Sequence, residues 1–154
     1  MSTSSITARR SLHLVDLENL VGDPKATGRV VGDTFVRYLE LSEWRSGDHV
    51  IVASNPCIIR EVGFELDVPA SVHATCGEDG ADLMLLSLAL PELIARRYGR
   101  LVVGSGDGIF APRASDAQQR GVKVRVVTRP ESCSLRLLPF EPIWLRPRDE
   151  PIAA

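Results

Sequence analysis

The sequence predicts an α/β fold, a three-layer α/β/α arrangement around a central, mainly parallel, five-stranded sheet. Two observations predict it. Short apolar runs alternate with helical patterns from Ser11 to about Val127, in a βαβαβαβαβ rhythm. The chain also has the size and apolar content of one ordinary domain, 154 residues of which 44% are hydrophobic.

Each element has a local reason. Leu12–Val15 reads as a short buried strand. Gly22, Asp23, Pro24, Gly28 and Gly32 make most of residues 17–32 a loop. Asp33 or Thr34 can cap a helix that carries Phe35, Val36, Leu39 and Leu41 and ends near Trp44. The Ser46-Gly47-Asp48 turn leads into strand His49–Ala53. Pro56 suits the first turn of a helix running to about Phe64. Ser71–Cys76 is a third strand. Asp82–Arg97 is helical, with Pro91 kinking or dividing it, and Leu83, Leu86, Leu90 and Ile94 form its core stripe. Excess apolar surface there would instead build a homodimer. Leu101–Val103 is the fourth strand, a helix spans about Phe110 to Gln119, and Gly121 ends it. Val122–Val127 is a β-branched fifth strand. Residues 1–10 are expected to be a flexible N-terminus. Residues 11–138 are the domain, and 139–154 a proline-rich, extended tail. Phe140, Ile143, Trp144 and Leu145 are apolar enough to dock that tail on the body or on a protein partner.

Composition excludes little. A net charge of −2 with 25% charged residues is ordinary for a soluble protein, and a local basic patch can still serve a nucleic acid. All cations except Lys25 and Lys123 are arginines. The densest groups, Arg9-Arg10 and Arg96-Arg97 with Arg100, read as solvated faces. Three scattered cysteines without a CxxC pair fit buried thiols in a reducing cytoplasm. The segment Met1 to Thr7 lacks an apolar signal core, and the longest apolar run, within Leu83–Leu90, is too short to span a bilayer. A cytoplasmic protein without membrane association is therefore expected.

The stretch from Val102 to Pro112 carries the most chemistry. It reads as a buried strand entering a glycine-rich turn that delivers Asp107 to the start of a helix. Asp16 ends the first strand in the same way, and Asp82 opens the leucine-rich helix. Ligands of parallel sheets bind outside the carboxyl ends of the strands, where all three acids fall. Taken singly, each also fits a turn or a helix cap. Together they suit a hard divalent cation such as Mg²⁺ or Mn²⁺, which prefers oxygen ligands. Asn19 fits a ligand, a substrate contact or an Asx turn, and Ser105 a contact to an acid or phosphate. Glu78 and Asp79 read as exposed loop acids able to enlarge the cluster. The Gly104-x-Gly106-x-Gly108 run does not match a dinucleotide fingerprint, and no GxxxxGK phosphate loop exists.

These residues resemble a known family. Asp16-Leu17-Glu18-Asn19-Leu20 is similar to the D-x-E-N opening of the NYN branch of PIN-like nucleases. Gly80-Ala81-Asp82-Leu83-Met84-Leu85 resembles that family's second acidic segment. Val103 to Pro112 resembles its S-G-D-x-D-F-x-P segment, and Gly121-Val122-Lys123-Val124 the start of its last strand. The resemblance spans about residues 11–138 in the family's order. It implies a PIN-like α/β/α sandwich and metal-dependent endonucleolytic cleavage of RNA. Asp16, Asp82 and Asp107 would be the catalytic metal ligands, and Asn19 and Ser105 would support them at the substrate. One position departs: Ile109 stands where the family has another acid, and isoleucine cannot ligate a metal. The alternative is therefore a catalytically weakened module that binds RNA or a protein.

Overall fold

The computed structural model describes residues 9–62, 68–77 and 79–146. Six strands form one sheet in the order β3-β2-β1-β4-β5-β6, and every neighbouring pair is parallel. They are β1 (Ser11–Asp16), β2 (His49–Ser54), β3 (Ala70–Ala74), β4 (Arg100–Gly104), β5 (Lys123–Thr128) and β6 (Ile143–Trp144). Residues alternate across the sheet and feed two cores. Leu12, Leu14, Leu101 and Val103 pack with α4 (Gly80–Leu88), α5 (Pro91–Arg97) and α6 (Ala111–Gln119). Val15, Val50, Val52 and Val102 pack with α1 (Leu17–Val21), α2 (Gly28–Leu41) and α3 (Pro56–Val62). The result is the expected α/β/α sandwich, with six strands where the sequence predicts five.

The sixth strand comes from the segment expected to be a tail. Ile143 pairs with Val127 and Trp144 with Thr128, the Leu145 N–H donates to the Thr128 carbonyl at 2.8 Å, and Leu145 is buried in the α1–α3 core. Burial of Leu145 and partial burial of Ile143 against the body of the same chain account for much of the segment's apolar composition, while Trp144 stays exposed. The expected flexible N-terminus falls mostly on residues 1–8, and the predicted helix end at Phe64 on 63–67. Both lie outside the described residues, as do Glu78 and the end of the tail.

Four expectations are corrected. Residues 17–32 are not mainly loop, because they hold α1 and the first part of α2. The cap of α2 is Thr27, whose Oγ accepts the Val30 N–H, not Asp33 or Thr34. Val31, Phe35 and Tyr38 then form a buried stripe that outweighs two helical glycines, each unfavourable by about 1 kcal/mol. In the leucine-rich region Pro91 does divide the helix, but the buried stripe is Ala81, Leu85, Ala89 and Ile94. Leu83 and Leu90 are exposed. The Arg113 guanidinium bridges the break by donating to the Leu86 and Ala89 carbonyls. Finally, Cys57 and Cys76 are exposed rather than buried. Among the described residues, no helix is long and apolar enough to cross a membrane.

Candidate metal centre at the sheet switch point

β1 and β4 are neighbours, and the chain leaves them in opposite directions, toward β2 and toward β5. Their carboxyl ends therefore diverge and open a crevice. Asp16, the last residue of β1, faces it. Its Oδ1 accepts the Asn19 N–H at 3.3 Å and so caps α1, while its Oδ2 accepts from the Ser105 hydroxyl at 3.2 Å. The α1 turn closes at Gly22, which has φ +76° and whose N–H donates to the Glu18 carbonyl. The Arg129 guanidinium occupies the place a Cβ would take at Gly22. One carboxylate thus shapes the chain after β1 and ties it to the turn after β4.

The second turn is built as tightly. The Gly106 N–H donates to Asn19 Oδ1 at 2.9 Å, and the Gly106 carbonyl accepts from Ser134 N–H at 2.8 Å. A Cβ on Gly106 would lie 2.1 Å from the Ser132 carbonyl oxygen, so only glycine fits. Asp107 Oδ1 then accepts the Ile109 N–H at 3.0 Å, capping the 3₁₀ turn Gly108–Phe110, and the Asp107 N–H donates to Ser105 Oγ at 3.2 Å. Asn19 and Ser105 are thereby engaged inside the protein: each links the β1 end to the β4 turn, and Ser105 is fully buried.

Asp82 sits in the first turn of α4 and is 4% exposed. It lies against Asp16 on one side and Asp107 on the other. Its Oδ1 is buried and has no hydrogen-bond donor. Burial, and after it the two neighbouring carboxylates, push its pKa up to about 9. Burial also raises Asp16, against the opposing hydrogen bonds from Asp82, the Asn19 N–H and Ser105. Burial and the two carboxylates beside it thus favour the protonated form of Asp82. Asp82 adjoins each of the other two acids expected from the sequence, Asp16 and Asp107.

A fourth acid joins them. Carboxylate oxygens of Asp79, Asp82 and Asp107 lie within 4.8 Å of one another, while Asp16 stands outside that group and adjoins it through Asp82. Asp79 is exposed and occupies the N-cap position of α4 without making a capping hydrogen bond. The sequence carried this signal as Asp79 and Asp82, three apart at a helix start and so on one face. Ile109, by contrast, is turned away and packs against the α4–α6 core. The donor set of the cluster is entirely carboxylate oxygen, and one buried oxygen lacks any other partner. Both features fit Mg²⁺ or Mn²⁺ and not a soft metal.

Comparison with known families matches the NYN domain model to residues 6–138. No curated protein and no solved structure matches the chain. The family match covers most of the sequence, from before β1 to the 3₁₀ turn that precedes β6, and on that extent the chain belongs to the NYN domain family, a branch of the PIN-like nuclease superfamily.

Proposed function

We propose that this protein is an endoribonuclease that uses Mg²⁺ or Mn²⁺ at the carboxyl edge of its sheet. The observation that carries the reading is the buried, donorless Oδ1 of Asp82 between two further carboxylates. An isolated NYN-type scaffold has no need of such a contact, because clustered acids disfavour their own ionisation. A bound cation would offset that repulsion, lower the pKa of its water and neutralise charge developing on a phosphodiester.

The residues divide the work. Asp82 and Asp107 would hold the ion, with Asp16, beside Asp82, completing the set. Asp79 would supply the solvent-side carboxylate. Ser105 fixes Asp16 Oδ2, and Asn19 fixes the Gly106 turn, so both would position the acids relative to the RNA. A single ribonuclease assay tests the assignment. With Mn²⁺, wild type should cleave RNA, and Asp107→Asn should lose about 100-fold or more, since even outer-shell partners of metals contribute 10–100-fold. Equal activity in the two proteins would refute it.

Ile109 favours a second reading, in which the module retains RNA or a protein partner without turnover. Its side chain adds to the core and gives the site no oxygen. Calorimetry separates the two: a Mn²⁺ titration without binding, alongside retained RNA or partner binding, selects the second.

A further inference from the structure

At the opposite end of the strands the charge reverses. A groove of about 1110 Å³ is lined by Arg9, Arg45, Arg100, Arg120, Lys123 and Arg125, and among the described residues Glu43 is its only acidic lining residue. Arg9 precedes β1, Arg100 and Lys123 open β4 and β5, and Arg120 ends α6, so the amino edge of the sheet gathers cations distant in sequence. Arg100 forms the floor. Its Nε donates to Ser11 Oγ at 2.8 Å and an Nη to the Glu43 carbonyl at 3.0 Å. It also faces the Glu43 carboxylate at 3.6 Å and the buried Asp48 at 3.9 Å. Arg120 pairs with Asp116. Among the described residues, Arg9, Arg45 and Lys123 have no ion-pair partner, and Arg125 reaches only Glu43, at 4.0 Å. Six cations thus face three carboxylates. Burial first, and then Arg125 and Arg45, work against the charged form of Arg100. Like charges held together in a concavity raise the local potential and concentrate anions there.

We propose that this groove binds the phosphodiester backbone of RNA, at a site separate from the acidic cluster. The two ends are about 13 Å apart along β4 alone, four steps of roughly 3.3 Å. An acidic protein is the weaker occupant. Protein interfaces depend on exposed apolar or aromatic anchors, and none of the large exposed hydrophobics lines the groove; of the bulky apolar residues that do, Tyr98 and Val122 are buried and Trp44 is partly buried against the α1–α3 core. The ligand class follows the nuclease reading, but binding here needs neither metal nor turnover.

The test uses fluorescence anisotropy of a labelled oligouridine in EDTA, titrated with the full chain carrying Asp107→Asn. A second protein adds Arg45→Ser, Lys123→Ser and Arg125→Ser, and a third adds Arg45→Lys and Arg125→Lys instead. The serine protein should bind at least about tenfold more weakly near 0.1 M salt. Its slope of log K against log salt should fall by about 2, three lost contacts at roughly 0.7 each. The lysine protein should keep the slope, and thermal melts should show all three folded. Unchanged affinity and slope in the serine protein would overturn the proposal. So would competition by polyglutamate at the same charge concentration as effective as that by unlabelled RNA. Absence of cleavage by the wild-type chain with Mn²⁺, alongside intact groove binding, would sink only the nuclease reading.

Discussion

Replacing Asp82 with asparagine should stabilise the metal-free protein. The folded state raises the Asp82 pKa from 3.8 to about 9, so between those values it binds a proton that the unfolded chain releases. Stability from this group therefore falls as pH rises through that window. At pH 7, about three units above the unfolded value, the ceiling on the lost stability is roughly 4 kcal/mol at 1.36 kcal/mol per unit. The cluster opens to water at Asp79, and that relaxation reduces the expected gain from Asp82→Asn to about 1–3 kcal/mol. The amide mimics the protonated carboxyl, so the gain should be close to zero near pH 4.5 and grow toward pH 8. Urea denaturation in EDTA at both pH values measures it. Saturating Mn²⁺ should reverse the order, because a ligand at 100 times its Kd adds about 2.7 kcal/mol to wild type and less to the variant. If Asp82→Asn were less stable than wild type at pH 8 without metal, Asp82 would be an ordinary structural acceptor and the argument from its orphaned oxygen would fail.

Three other outcomes follow from the same geometry. Mn²⁺ affinity measured by calorimetry should rise with pH up to about 9, by as much as tenfold per unit, since the cation must displace the Asp82 proton; a flat profile would count against Asp82 as a ligand. Gly106→Ala should destabilise by about 1–3 kcal/mol through the clash with the Ser132 carbonyl, and it should weaken Mn²⁺ binding by shifting Asp107. Acid should destabilise in two windows. Burial lowers the pKa of His13, outweighing its Asp48 partner, so stability is lost as pH falls below 6.5. For Asp48, burial acts upward but is outweighed by the Ser11 N–H, His13 and Arg45 N–H contacts, so its contribution is lost below 3.8. A His13→Gln variant should lack the first window in urea midpoints measured across that range.

The parallel sheet was legible because its strands are apolar runs set between turn residues, a pattern that survives any detail of packing. The acids at the strand ends were legible for the same reason: once the β1 and β4 ends are assigned, topology brings Asp16 and Asp107 to one edge. What was not legible depends on tertiary contact. Gly28 and Gly32 argue against helix locally, and only the burial of Val31, Phe35 and Tyr38 reverses that. The leucine-rich segment is apolar on nearly every side, so spacing alone could not tell Leu85, which is buried, from Leu83, which is 58% exposed. The amino-edge groove was harder still. Its cations come from separate elements, and the pairs that look dense in sequence contribute only Arg9 and Arg100 to it.

Ile109 and Asp79 belong to one electrostatic question. The 3₁₀ turn after β4 can present its side chains to the crevice or to the core. Here Asp107 faces the crevice, while Ile109 and Phe110 join the core. A second acid in that turn, if it faced the crevice, would add a carboxylate where burial and the acids already beside Asp82 push its pKa up. Asp79 brings a carboxylate to the same cluster from the exposed start of α4, where water screens it and the desolvation penalty is small. Under the nuclease reading, the acid absent at Ile109 is thus offset from a different element, at lower electrostatic cost. The fourth oxygen donor then lies on the side of the cluster open to solvent, from which an RNA phosphate would approach.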